Sequence, residues 1–228
     1  MLLVVIPSLI EELSADQVDV RLKAVNLVGK LFALPEHHVA QKFHDLFWNP
    51  FGRESLEIIT SVEGRLLDFD DRVRMRAVIV ACDICSSNLK RDPLKLMAEA
   101  TERLRDKKIS VKKRALQKLM EIYQTYCKKY CEENMETIDH FEEIPCEIWM
   151  LCYDKECKEF RPQNMELVLS DNLFPEHLSV VERTMHWIHI FSLFSSLHEK
   201  ALDTILIQKR RMQNEMKNYL ALPKKSTE

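Results

Sequence analysis

Leu104-Arg105-Asp106-Lys107-Lys108-Ile109-Ser110-Val111-Lys112-Lys113-Arg114-Ala115-Leu116 reads as a junction between two helices, and the chain uses the same theme twice more. It recurs from Leu13 to Val25 (L-S-A-D-Q-V-D-V-R-L-K-A-V) and from Leu67 to Val78 (L-D-F-D-D-R-V-R-M-R-A-V). Each copy has a leucine closing an apolar run, an acidic turn, then a valine followed by a basic-alanine-aliphatic helix start. The gap from leucine to valine is 7, 6 and 7 residues. Self-similarity at a near-fixed spacing is the mark of a stacked helical array.

The pattern has a physical cause. An aspartate ahead of the second helix accepts from the free amides of its first turn and complements the positive end of the helix dipole. The helix that follows offers Ala24, Val25, Val28, Leu31 and Phe32 in the first copy. In the third it offers Val111, Ala115, Leu116, Leu119, Ile122, Tyr123 and Tyr126. Spacings of three and four make one apolar stripe per helix, and the small alanine lets neighbouring helices approach closely. From Val73 to Val111 the period is 38 residues, close to the length of a HEAT-type helix pair. The expected fold is therefore an all-α, HEAT-repeat (armadillo-like) helical solenoid without a sheet.

One interval breaks the rule. From Val20 to Val73 the period is 53 residues, neither one repeat nor two. The excess lies in Pro35 to Glu54, where His37 to Trp48 reads as a first helix and Asn49-Pro50-Phe51-Gly52 interrupts it. Two readings fit: a degenerate half repeat, or a chain from which part of a repeat was lost. Either makes 35–54 the weakest part of the array. The organisation expected is helix pairs over 1–130 with the incomplete repeat near 35–54, an irregular helical array over 131–222, and a tail over 223–228. Within the irregular array Pro145 and Pro162 suit helix starts, Leu178 to Leu197 reads as one apolar-rich helix, and Glu199 to about Leu222 as the last.

Composition agrees and narrows the chemistry. Only 3 glycines in 228 residues leave little room for hairpins or phosphate-binding loops, and 46% hydrophobic with 30% charged suits packed amphipathic helices. No nucleophile motif, Walker loop or GxGxxG occurs, so catalysis is not expected. No segment has the apolar length of a membrane span, and Met1 to Ile6 is too short for a signal peptide. The seven cysteines (Cys82, Cys85, Cys127, Cys131, Cys146, Cys152, Cys157) are an odd number, which fits a reducing cytosolic or nuclear setting. Their spacings lack the tight pairs of zinc sites, and His186 with His189 lies outside any H-E-x-x-H pattern, so packing roles are expected and no metal.

Net charge near −3 hides an asymmetry. Residues 103–114 carry Arg103, Arg105, Lys107, Lys108, Lys112, Lys113 and Arg114 against Asp106, whereas residues 132–176 carry thirteen acids and three bases. Lys107, Lys108, Lys112, Lys113 and Arg114 form the candidate binding ridge, for an acidic peptide or a polyphosphate. A solvated helix edge is the plain alternative. A nucleic-acid-binding helical array would use the same cations on phosphates, and a generic HEAT-repeat adaptor would share the architecture with another partner.

Long runs also resemble one family. Val4-Val5-Ile6-Pro7, Arg21 to Phe32 (R-L-K-A-V-N-L-V-G-K-L-F), Arg65-Leu66-Leu67-Asp68-Phe69-Asp70 and Glu102-Arg103-Leu104-Arg105-Asp106-Lys107 look like the precocious-dissociation-of-sisters regulators of cohesin, in their plant form. The likeness continues through Leu116 to Tyr126 and Val181-Glu182-Arg183 to about Leu222. It implies a slice from the amino-terminal third of a longer hook-shaped scaffold. Where the family continues from Phe43 to Phe47 into a further repeat, this chain passes through Trp48-Asn49-Pro50-Phe51-Gly52 to the following one. The resemblance also implies binding to the kleisin subunit of cohesin, work with a Wapl-type release factor, chromatin association through cohesin, and a role in sister-chromatid cohesion and DNA repair in the nucleus. Inositol hexakisphosphate is a ligand that it implies for this part of the scaffold.

Overall fold

The computed structural model describes residues 2–32, 53–87, 94–133, 139–168, 173 and 178–221. Every regular element among them is helical. Contacts divide the chain into two compact units, Met1–Ile144 and Pro145–Glu228.

In the first unit the helices alternate between two layers. The outer layer holds α1 (Leu2–Leu13), α3 (Arg53–Leu66) and α5 (Leu94–Glu102). The other holds α2 (Val18–Phe32), α4 (Asp71–Ser87) and α6 (Ile109–Glu133). Helix α2 packs on α4 and α4 on α6, while α1 packs on α3 and α3 on α5. This is the HEAT-repeat solenoid read from the junctions. Ala24, Ala77 and Ala115, each four residues after the repeat valine, are fully buried, as are Val73 and Val111. The central helix α4 has neighbours on both sides and buries nine of its 17 residues.

The leucine-to-valine spacing needs one correction. Leu13 and Leu66 are buried at the ends of α1 and α3, and Leu104 in the 3-10 turn Arg103–Arg105 that continues α5, whereas Leu67 lies past the end of α3 and is 60% exposed. Leu66, not Leu67, is the repeat leucine, and the gap to the valine is then 7 residues in every copy.

The broken period does not break the stack. Helices α1 and α2 sit directly against α3 and α4, so the first and second pairs are immediate neighbours. The expected helix from His37 to Trp48 and its interruption at Asn49 to Gly52 lie outside the described residues. Gly29 marks how closely α2 and α4 approach: a Cβ there would meet Val80 Cγ2 at 2.8 Å and Arg76 Nη2 at 3.0 Å. The first unit closes with the one-turn α7 (Asp139–Glu142), where Phe141 stacks on Tyr126 at 5.2 Å and Glu142 accepts from the Tyr126 hydroxyl at 2.8 Å.

The second unit contains α8 (Ile144–Trp149), which begins at the boundary, two 3-10 turns at Met150–Tyr153 and Lys158–Phe160, α9 (Pro162–Leu167), α10 (Val180–Ser192) and α11 (Ser196–Ala221). Pro162 is the first residue of α9, where its missing N–H costs nothing. Ser179 and Glu182 form a capping box on α10. The expected single helix from Leu178 to Leu197 is instead α10 and the start of α11. Phe194 turns edge-on to Trp149 at 4.6 Å and stacks on Phe191 at 4.7 Å, which pulls the chain off the helical path. Ser195 and His198 then cap α11 reciprocally, each side chain accepting from the other's amide.

Candidate partner-binding surface

The turns between paired helices are built by a ladder of buried arginine and aspartate. The residue after each repeat valine is basic, and the fifth residue before it is an aspartate in the second and third copies. Arg21 donates from Nε and Nη2 to the two Asp68 oxygens at 2.7 and 3.0 Å, and Arg74 does the same to Asp106 at 2.7 and 2.9 Å. The third guanidinium nitrogen ties down the arginine's own turn. Arg21 Nη1 donates to the carbonyls of Ala15 and Asp16, Arg74 Nη1 to those of Asp68 and Phe69. Each aspartate also accepts a turn amide, from Asp70 at 3.0 Å and from Lys108 at 2.8 Å. The rigid fork of arginine matches a carboxylate in this way and a lysine would not.

Burial alone would push the Asp68 and Asp106 carboxyls up. The arginine hydrogen bonds, the turn amides and the neighbouring positive charges outweigh it and hold both below the usual carboxylate range. Phe69, 73% exposed, lies over the Arg21 guanidinium at 4.6 Å and shields the ladder from water.

The ladder explains where the candidate ridge divides. Lys112 follows Val111 and so occupies the position of Arg21 and Arg74; it is 7% exposed and not on the solvent ridge expected from the sequence. Lys107, Lys108 and Lys113 are exposed, and Arg114 is partly buried with Nη1 donating to Gln117 at 2.9 Å. Arg105 pairs with Glu102, and Arg103 approaches Asp106 at 3.8 Å. What remains outward is Lys107 and Lys108 on the turn and Lys113 with Arg114 on the first turns of α6. Cations at the positive end of a helix oppose its dipole, so the dipole does not favour them there. An anionic group fits their exposed ammonium groups and the helix end beneath; Lys112 is not available to it.

Sequence reasoning missed a second basic position that the stack brings out. The third residue after the repeat valine is Lys23 on α2, Arg76 on α4 and Arg114 on α6. Among the described residues Arg76 Nε is buried without a hydrogen-bond partner, and its guanidinium rests over Gly29. Alignment of the three valines would have exposed this column, but Lys23 and Arg76 sit outside the dense charge run that drew attention.

Among the described residues six cysteines are buried free thiols, and burial pushes Cys82 up to about 12 and Cys152 to about 11. Burial also lowers His186 to about 4, assisted by the His189 charge. Among the described residues no group of three His, Cys, Asp or Glu side chains is placed to hold a metal, and no helix is long and apolar enough to cross a membrane. In the second unit an open groove of about 740 Å³ between α9 and α11 is floored by Leu167, Met212 and Met216.

Stacked helix pairs, a buried ion-pair ladder and a basic helix face define a HEAT-repeat scaffold. Comparison with known proteins gives its family. The model of the sister chromatid cohesion protein PDS5 family matches residues 1–55 and 49–228, and the chain belongs to that family. It is 36% identical to the sister chromatid cohesion protein PDS5 homolog A of Arabidopsis thaliana over 245 aligned residues, covering 96% of this chain and 15% of the relative. A PDS5 homolog of Dictyostelium discoideum is 24% identical over 189 residues, covering 81% of this chain and 12% of that protein. The chain thus spans about one seventh of the Arabidopsis protein. A solved structure of the Pds5-Scc1 complex shares the fold, with a TM-score of 0.55 at 15% identity over 86% of this chain and 34% of that one. The two family-model matches meet at residues 49–55, where the repeat period is broken.

Proposed function

We propose that this chain is a non-enzymatic scaffold of cohesin regulation, which binds the kleisin subunit and controls sister-chromatid cohesion. The observation that carries this reading is the family match along the whole chain. The fold shared with a Pds5-Scc1 complex supports a kleisin as the partner. The contact assigned to it is the basic face of α6 with its turn: Lys107, Lys108, Lys113 and Arg114, with Lys112 buried beneath. The proposal extends to a nuclear location, to chromatin association through cohesin, to work beside a Wapl-type release factor, and to a part in DNA repair.

The test is co-precipitation of the purified 228-residue chain with purified kleisin, with and without inositol hexakisphosphate. Capture by the wild type and loss in Lys107→Glu/Lys108→Glu/Lys113→Glu supports the assignment. Release of kleisin by the polyphosphate would add that both use this face. Capture unaffected by the triple reversal removes the assignment, and no capture by the wild type removes the kleisin reading for this chain.

A further inference from the structure

The three-residue column has a geometry of its own. Lys23, Arg76 and Arg114 take equivalent positions on successive helices of one layer, and packed helices lie about 8–10 Å apart. Among the described residues none of the three is in an ion pair, although acids stand close by. Arg72 takes Asp70 and Asp19, and Lys118 takes Asp83 and Glu121, leaving the column out. Arg76 is the least satisfied, because its Nε is buried with no acceptor. The Arg76 side chain as a whole is only partly buried, so a carboxylate arriving from outside meets the open part of a guanidinium that has no ion-pair partner of its own among the described residues.

We propose that the column is a docking track for an extended acidic peptide whose carboxylates recur about every third residue. An extended chain in the polyproline II form turns once every three residues and rises about 3.1 Å per residue, so residues three apart share one face and lie about 9 Å apart, one helix spacing. A helical ligand would need six or seven residues for the same distance. The surface between the cations favours a peptide over nucleic acid. Leu27 is 40% exposed, Met75 and Ile79 are partly exposed, and Asp19 and Asp83 lie on the same helices. A phosphate-tracking surface would be basic throughout, whereas an alternation of cations and small apolar patches suits side chains of both kinds. Gly29 sets the spacing of the first two cations, because a side chain there would collide with Val80 and the Arg76 guanidinium and push α2 from α4.

This inference rests on the kleisin reading only for the name of the natural ligand; the track itself stands on spacing and charge. The test uses three fluorescein-labelled probes with the full 228-residue chain at low salt. One is a 12-residue peptide with glutamate at every third position and serine or valine between. The second has the same composition with the four glutamates adjacent, and the third is a 12-nucleotide oligothymidylate. The spaced peptide is expected to bind about tenfold more tightly than the grouped one, and Arg76→Gln or Lys23→Gln should each remove most of that difference. Lys23 is exposed, so its variant keeps the fold even where Arg76→Gln loosens α4. Equal binding of the two peptides, tighter binding of the oligonucleotide, or discrimination that survives Lys23→Gln overturns the track. Kleisin capture without discrimination between peptides would sink the track alone; discrimination without kleisin capture would sink the kleisin reading alone.

Discussion

Single side chains decide how these repeats meet. The Arg74–Asp106 pair is buried on both sides, so removing one partner strands a charge. Arg74→Ala or Asp106→Ala is expected to destabilise the first unit by about 3–5 kcal/mol, read from urea unfolding at pH 7. The double change to methionine and leucine should cost less than either single one, because no unpaired charge remains. Acid should act through the same groups. Asp68 and Asp106 have depressed values in the folded state, so their contribution is complete above the ordinary carboxylate value of about 3.9 and fades as pH falls through the folded values. His186 acts at higher pH. Its folded value of about 4 lies below the ordinary 6.5, so the unfolded chain takes up the proton first and stability falls between about pH 6.5 and 4. His186→Gln should remove that upper limb and leave the lower one, in unfolding curves collected from pH 7 to 3; a single limb in the wild type would contradict the assignment.

At the scale of helices, two glycines predict opposite outcomes for one substitution. Gly29→Ala places a methyl against Val80, a stiff and fully buried side chain, and should cost about 1–3 kcal/mol. Gly64→Ala on α3 meets nothing within 4 Å and should gain up to about 1 kcal/mol from helix propensity. Melting temperatures of the two variants check the pair, and a shift of the same sign in both would show that the α2–α4 approach is looser than described. The junctions made these elements legible. Valine, basic residue and alanine at fixed offsets announced each second helix, and the buried alanines and valines lie where the periodicity placed them. The ladder was less legible, since Asp68 and Asp106 look like ordinary cap residues and their second role needs a partner 47 or 32 positions away. Lys112 was misplaced for the same reason: in sequence it is one more charge in a basic run, while in the stack it occupies the arginine position. The break near Leu193 depends on Phe194 meeting Trp149, a contact that local periodicity does not encode.

For the whole molecule, the ladder carries the solenoid across its broken period. Arg21 and Asp68 are 47 residues apart, Arg74 and Asp106 only 32, yet the two forks have matching geometry. A repeat protein is held by its nearest neighbours, so a pair that presents the right arginine and the right aspartate joins whatever the length between. The same neighbour logic lines up the outward cations on α2, α4 and α6 and turns scattered residues into a face. The measurement that tests the account most directly is the affinity of the purified chain for kleisin by fluorescence anisotropy. It is taken at rising salt, for the wild type and for Lys107→Glu/Lys108→Glu/Lys113→Glu. The account predicts a loss of about 5- to 150-fold in the triple variant at low salt, shrinking as salt screens exposed charges over about 10 Å, with helical content by circular dichroism unchanged. Equal affinity of the two proteins at low salt would contradict it and leave the basic face a solvated helix edge.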